Sequence, residues 1–331
     1  FDGYQLRDSD GDDNEFEFAN HYYTKGAEFE SMTFKLTSQW TDNFSTELFY
    51  NNSTMDDSQV TVGDKDFGDI QITVEEADGT RNTVYLGADD SRQANSLDTE
   101  TDLIKLSANY LAGDHLITGG YERETLDIFN FFVQHSNGGE YDFFDSSRTN
   151  DPSCALLTPQ ERYDGVNGCG PSGIDRFELG RPSVMYYGSG GGTNNPLDAA
   201  AIFANTQNTV YLQDEIFVDH LGLTLVAGLR YEWWESDDRP TFNQAFTNAT
   251  DGLRNDGNLD GIDLLMPRFG FTWEVRDDLT MRGGVGKYSG GNPNVWISNA
   301  WSNDGVTNVQ SGSWDEFRSN EFNGPWSVIP G

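Results

Sequence analysis

The stretch Asn208–Glu235, NTVYLQDEIFVDHLGLTLVAGLRYEWWE, constrains this chain more than any other. It reads as two strands of about a dozen residues each, joined by the tight turn Asp219-His220-Leu221-Gly222. On the second strand Leu223, Leu225, Ala227, Leu229, Tyr231 and Trp233 share one face, and Thr224, Gly228, Arg230 and Glu232 share the other. A period of two puts these sets on opposite sides of a sheet. Soluble sandwich strands are rarely so long, whereas a strand crossing a bilayer takes about 9–11 tilted residues. Its apolar side faces lipid, with Tyr or Trp at the head-group level. The first strand is less regular. Val210, Leu212, Ile216 and Val218 form one face, interrupted by Asp214; either Asp214 lies near an interface or a bulge shifts the register there.

The same pattern recurs along the chain. Met32, Phe34, Leu36 and Trp40 share a face, and after the turn Thr41-Asp42-Asn43 so do Phe44, Leu48 and Tyr50. Ile104, Leu106, Ala108 and Tyr110, then Ile117, Gly119 and Tyr121, flank a turn at Leu111–Asp114. Met266–Val275 and Leu279–Tyr288 flank Arg276-Asp277-Asp278. Between these hairpins lie long polar excursions at about 51–99, 126–206, 236–263 and 289–331, the first containing a possible hairpin of its own (Asp69–Val74 with Thr83–Gly87). Short turns at one end and long loops at the other are the outer-membrane pattern, with the turns periplasmic and the loops extracellular. The expected fold is therefore all-β, an antiparallel transmembrane β-barrel segment. On this reading Arg230, Glu232, Arg268, Glu274 and Arg282 face the lumen, where cargo, a plug or water alone would meet them.

Composition agrees. The chain holds 55 acidic against 20 basic residues, a formal net charge of −35, which argues against nucleic acid as a partner because phosphates would repel it. Mean hydropathy is −0.62 and no 18-residue apolar run occurs, which excludes helical spans but not a barrel whose strands alternate. Thirty-six glycines and 13% aromatics suit a barrel better than a helical protein. Cys154 and Cys169 sit in a Gly/Pro/Asp-rich segment with no histidine nearby; such a pair reads as a loop-closing disulfide formed in an oxidising compartment.

YLQDE at Tyr211–Glu215 followed by LTLVAGLRYEWW resembles the barrel of TonB-dependent outer-membrane receptors, and LLMPRFGFTWEVRDDLTMRGGVGKYSGGNP at Leu264–Pro293 continues the likeness. FKLTSQWTDNFSTELFY, near the start, is similar to the Oar-like group of that family. The resemblance implies the outer membrane of a Gram-negative bacterium, lipid as a neighbour, and ligand capture by extracellular loops. It also implies uptake driven by a TonB-type energy-coupling protein, with peptide or other bulky cargo. The chain opens without a signal peptide and ends in WSVIPG without a closing strand; it is expected to be the barrel portion of a larger receptor, flanked by a plug domain and further strands.

Other motifs carry less. Asp256, Asn258, Asp260 and Asp263 follow the D-x-N-x-D-G spacing of a calcium loop, but Pro267 stands where the bidentate Glu should be; Ca2+ is the one cofactor the sequence suggests. Asp8, Asp10, Asp12 and Asp13 form a weaker acidic cluster. Gly168–Gly173 matches a dinucleotide fingerprint only formally, since Pro171 interrupts it and no strand precedes it. Gly283-Gly284-Val285-Gly286-Lys287 lies within an alternating strand, where small residues allow close packing. His115 and His220 lie by turns, His21 and His135 stand isolated, and none joins a metal or nucleophile set. No catalytic motif supports an enzyme. The rival to a receptor is a secreted, calcium-stabilised β protein for adhesion or carbohydrate binding, distinguishable by whether extraction needs detergent.

Overall fold

A computed structural model describes residues 4–6, 14–64, 68–146, 151–191, 193, 195–291 and 294–313. The acidic cluster at Asp8, Asp10, Asp12 and Asp13 lies outside the described residues. In chain order the elements begin β1 (Tyr4–Leu6), β2 (Glu15–Glu17), β3 (Tyr23–Thr41), β4 (Phe44–Thr61), β5 (Asp69–Glu75), β6 (Arg81–Leu86), β7 (Asn95–Ala112) and β8 (His115–Phe132). There follow β9 (Glu140–Phe144), α1 (Pro159–Tyr163), α2 (Gly173–Glu178), β10 (Val184–Gly190), β11 (Ala201–Val218) and β12 (Leu223–Glu235). The last are α3 (Gln244–Ala249), β13 (Asp263–Arg276), β14 (Leu279–Gly286), α4 (Asn294–Ser302) and β15 (Asn308–Ser313).

Nine strands form the wall, in the order β1-β3-β4-β7-β8-β11-β12-β13-β14, every pair antiparallel. Each hairpin closes in a few residues at one end. Gly222 carries φ +58° there, and Gly113 φ +63°, the left-handed backbone that such turns need and glycine adopts without cost. The ladder runs unbroken through Asp214, opposite Ala227 and Ile117, so no bulge occurs at that point. Asp214 sits beside the turns, its carboxylate 2.8 Å from His115 Nδ1.

Register lines up the apolar face across the wall. Leu36, Leu48, Leu106, Tyr121, Val210, Tyr231 and Leu265 stand directly opposite one another in turn. Many on this face remain exposed, among them Phe34 at 53%, Leu106 at 49% and Leu212 at 61%. So wide an apolar surface on a folded chain demands a non-aqueous neighbour, and lipid is the neighbour a barrel wall has. Trp40, Tyr110 and Trp273 mark its turn end; Tyr50, Tyr231 and Trp233 mark its loop end. Beyond Tyr50 and Ile104 the same face turns acidic, with Asp56, Asp98, Glu100 and Asp102.

Strands prove longer than their apolar pattern. The expected loops 51–99 and 126–206 shrink to connections at 62–94 and 133–200, because β4, β7, β8 and β11 each run for 18 residues. Eighteen residues extend about 60 Å, or about 40 Å along the normal at a 45° tilt, against an apolar band about 25 Å tall. The upper part of the wall therefore stands in water, where alternation in polarity is not required and the hydrogen-bond ladder alone continues the strand.

The connections build a second sheet of six strands, ordered β15-β10-β9-β5-β6-β2. Its strands come from four different loops, and two of its pairings, β2–β6 and β5–β9, are parallel. The hairpin expected at 69–87 is present as β5–β6. The segment 289–331, read as loop, contains α4 and β15 within its described part. A compact core of Ile70, Tyr141, Phe143 and Met185, with Phe177 of α2 against it, fixes the second sheet. Tyr141 and Phe143 lie in a polar stretch of the sequence, yet at 3% and 0% exposure they pack the module itself.

Candidate functional site: a charged inner face beneath a loop sheet

Opposite the lipid face, the inner side chains of the wall form a connected polar network. Arg230 of β12 is its centre. Its Nε donates to Glu232 Oε1 at 2.6 Å, its Nη1 to Glu122 Oε2 at 3.0 Å and its Nη2 to Thr209 Oγ1 at 3.1 Å. Glu122 also takes Lys105 Nζ at 2.9 Å, and Lys35 pairs with Glu47 at 2.9 Å two strands further on. The Tyr211 ring lies among these cations, 5.9 Å from Lys105 Nζ and 6.0 Å from the Arg230 guanidinium carbon, within cation–π range. Basic and acidic groups thus alternate across β3, β4, β7, β8 and β12, all on one face because all share one strand parity.

Lower on that face Arg268 Nη2 donates to Gln213 Oε1 at 2.8 Å. Glu274 and Arg282 share the parity of Arg268 but are exposed, and neither makes a salt bridge among the described residues. The lumen set named from sequence therefore divides. Arg230 and Glu232 belong to one network, Arg268 to a separate contact, and the other two to the open end of the wall. Lys35, Glu47, Lys105, Glu122, Thr209 and Tyr211 were not singled out, although their inward parity beside Leu36, Leu48, Leu106, Tyr121 and Val210 was readable.

At the loop end α4 folds back against the inner face. Ile297 and Trp301 pack on Ile128, Ala201 and Phe203, the Trp301 ring stacked 5.6 Å from Phe203. Asn130 Nδ2 donates to Ser298 Oγ at 2.6 Å. Above it stands the six-stranded sheet, whose connection between β9 and β10 is tied by the Cys154–Cys169 disulfide, with Cα atoms 5.8 Å apart.

Residues of the calcium spacing have partners of their own. Arg254 occupies Asp256, its Nε 2.8 Å from Oδ1, and the Asn258 amide donates to the carbonyls of Ser236 and Asp238 at 2.8 and 3.0 Å. Asp263 is drawn into β13 opposite Trp233. Among the described residues, Asp256, Asp260 and Asp263 do not bring ligand atoms within 4.8 Å of one another. The loop is closed by its own hydrogen bonds, which explains why D, N and G recur there without convergent carboxylates. The Gly283 spacing also has a structural reason: an added Cβ would meet the Phe271 ring at 2.6 Å.

One polar cluster was invisible in the sequence. His135, expected to stand alone, lies with Nε2 3.0 Å from Asp90 Oδ2 and 2.7 Å from Glu140 Oε2. Burial by itself would lower this imidazole, but its hydrogen bonds to Asp90 and Glu140 outweigh burial and hold it at about 9. Asp142, on the same face of β9, is pushed up to about 8 by burial and by the neighbouring Glu140 charge. Asp69 is likewise raised, by burial first and then by Glu140. Among the described residues, Asp90, His135 and Glu140 bring one ligand atom each within 4.8 Å of one another.

No curated protein matches the chain. Among solved structures, the outer-membrane transporter YddB from Escherichia coli is similar, with a TM-score of 0.48 and 13% sequence identity over 90% of this chain. The chain spans 30% of the length of that protein. A family model described as an outer membrane beta barrel domain matches residues 8–328. The chain belongs to the outer membrane beta barrel domain family and resides in the outer membrane.

Proposed function

We propose that this chain is the barrel portion of an outer-membrane receptor of the TonB-dependent, Oar-like kind, in which extracellular loops capture a ligand and the barrel passes it inward. The observation that carries this reading is the pairing of two features on one molecule. A charged inner face, centred on Arg230, Glu122, Lys105 and Glu232, lies beneath an ordered cap assembled from several loops. A wall that served only as an anchor would need neither. The inner network offers both signs of charge in fixed positions, which suits transient pairing with a zwitterionic or peptide-like cargo. Energy from a TonB-type protein would act on the whole receptor, and no catalytic step is required. Membership of an outer-membrane family removes the secreted-adhesin alternative.

Excision of residues 133–200 from the full-length receptor tests the reading, since the cut leaves β8 and β11 whole. Membrane insertion should persist while cargo uptake is lost. Undiminished uptake by a correctly inserted excision variant would overturn the assignment of capture to these loops.

A further inference from the structure

We infer that Asp90, His135 and Glu140, with Asp142 beside them, form a binding site for one divalent transition-metal ion of the Zn2+ type, which clamps the loop sheet to the barrel wall. The inference does not rest on the transport reading.

The three ligand atoms come from three separate segments. Asp90 opens the short turn Asp90–Arg92 that leads into β7, His135 follows β8 by three residues, and Glu140 begins β9. Two carboxylate oxygens converge on one ring nitrogen, at 3.0 and 2.7 Å, and all three atoms lie within 4.8 Å of one another. A single imidazole nitrogen has at most one proton to offer, so two anions placed on it are a demanding use of one hydrogen. A cation between the three would satisfy all of them with its own positive charge.

Asp142 supplies the independent observation. It is 5% exposed, and its Oδ1 has no hydrogen-bond partner among the described residues. Alternation along β9 puts it on the face of Glu140, and its carboxyl contacts that of Glu140. Two buried carboxyl groups in contact need a proton or a cation between them, and this pair borders the three convergent ligand atoms. Neighbouring groups hold those ligands in place from outside. Gln71 Nε2 donates to Glu140 Oε1 at 3.0 Å, Gln134 Nε2 to Asp90 Oδ2 at 3.3 Å, and the Tyr186 ring stacks 5.4 Å from that of His135. Outer partners of this kind commonly orient metal ligands.

The donor set selects the ion class. One imidazole nitrogen with carboxylates and no thiolate suits Zn2+ and its neighbours, whereas all-oxygen sets suit Ca2+ and Mg2+. Because the ligands join the entry to β7, the exit from β8 and the start of β9, a bound ion would cross-link wall and cap at their junction.

Isothermal titration of the purified full-length receptor, stripped with chelator, tests this with Zn2+ as probe and Ca2+ as comparison. One equivalent of Zn2+ should bind, with Ca2+ at least tenfold weaker. His135→Ala should abolish binding and Asp142→Asn should weaken it tenfold or more, with heat-modifiable mobility confirming an intact barrel in each. Asp142→Asn keeps shape, so it serves if His135→Ala fails to fold. Zn2+ should also slow proteolysis within 133–200. Failure of the intact, stripped receptor to bind stoichiometric Zn2+, or unchanged binding in both variants, would overturn the site and leave a plain histidine–carboxylate ion pair.

Discussion

Tyr211 stands over Gly120. The two residues face each other across β8 and β11, and a Cβ added at position 120 would come within 2.5 Å of the Tyr211 ring and 2.7 Å of the Leu106 carbonyl oxygen. The ring fills the space that glycine leaves and is thereby held between Lys105 and Arg230. Gly120→Ala should displace it and cost about 1–3 kcal/mol, the usual range for forcing a group into a packed site. Tyr211→Ala should relieve part of that cost. In a double-mutant cycle measured by urea unfolding in lipid vesicles, the pair should be less destabilised than the sum of the singles; strict additivity would show that the ring and glycine are independent.

The midpoint of the apolar face on β12 falls at Ala227–Leu229, halfway between Leu223 and Trp233. Leu229 is 47% exposed on that face. Leu229→Arg should cost about 2–4 kcal/mol, as a cation at the bilayer midplane does. Thr224→Arg, on the inner face near the turn, should cost far less. Equal losses in the same folding assay would contradict the assignment of faces.

Cys154 and Cys169 close a loop with a sequence separation of 15. In the chain-entropy picture such a link stabilises by about 3 kcal/mol. Cys154→Ser should therefore loosen the segment between β9 and β10, seen as faster proteolytic nicking there, while the wall unfolds at an unchanged urea concentration. A matching fall in the stability of the wall would mean that cap and barrel unfold as one unit.

Inside the same loop Arg162 grips Asp175, with Nε 2.6 Å from Oδ2 and Nη2 on Oδ1. Burial alone would raise the Asp175 carboxyl, but the guanidinium and the Ser172 backbone N–H outweigh burial and hold it below the usual carboxylate range. A depressed folded-state value means the unfolded loop binds the proton more readily. The stabilisation is therefore present above about pH 4 and is lost as pH falls through the folded value. Limited proteolysis with an acid-active protease should accelerate below about pH 4 in the parent. Asp175→Asn should be faster throughout and lose that dependence.

What the sequence determined by itself was the wall. Period-two alternation at Leu223–Trp233, Met32–Trp40 and Ile104–Tyr110 is a local signal, because each strand must satisfy lipid on one side wherever its partners lie. The short turns and the inward parity of Arg230, Glu232 and Arg268 followed from the same rule. The ends of the strands were not legible, since above the bilayer the outer faces of β4, β7, β8 and β11 no longer meet lipid and the alternation lapses. The cap was decided by tertiary structure alone. Its parallel pairings β5–β9 and β2–β6 join segments from different loops, and no local pattern announces such a partner. For that reason nothing local marks Tyr141 and Phe143, aromatics within a polar stretch, as members of a core. His135 likewise stood alone in the chain, although the fold sets it between Asp90, 45 residues earlier, and Glu140, five residues later. Side chains separated by a whole strand pair acquire a shared charge environment only once the chain has closed around them, and that closure is a property of three-dimensional packing.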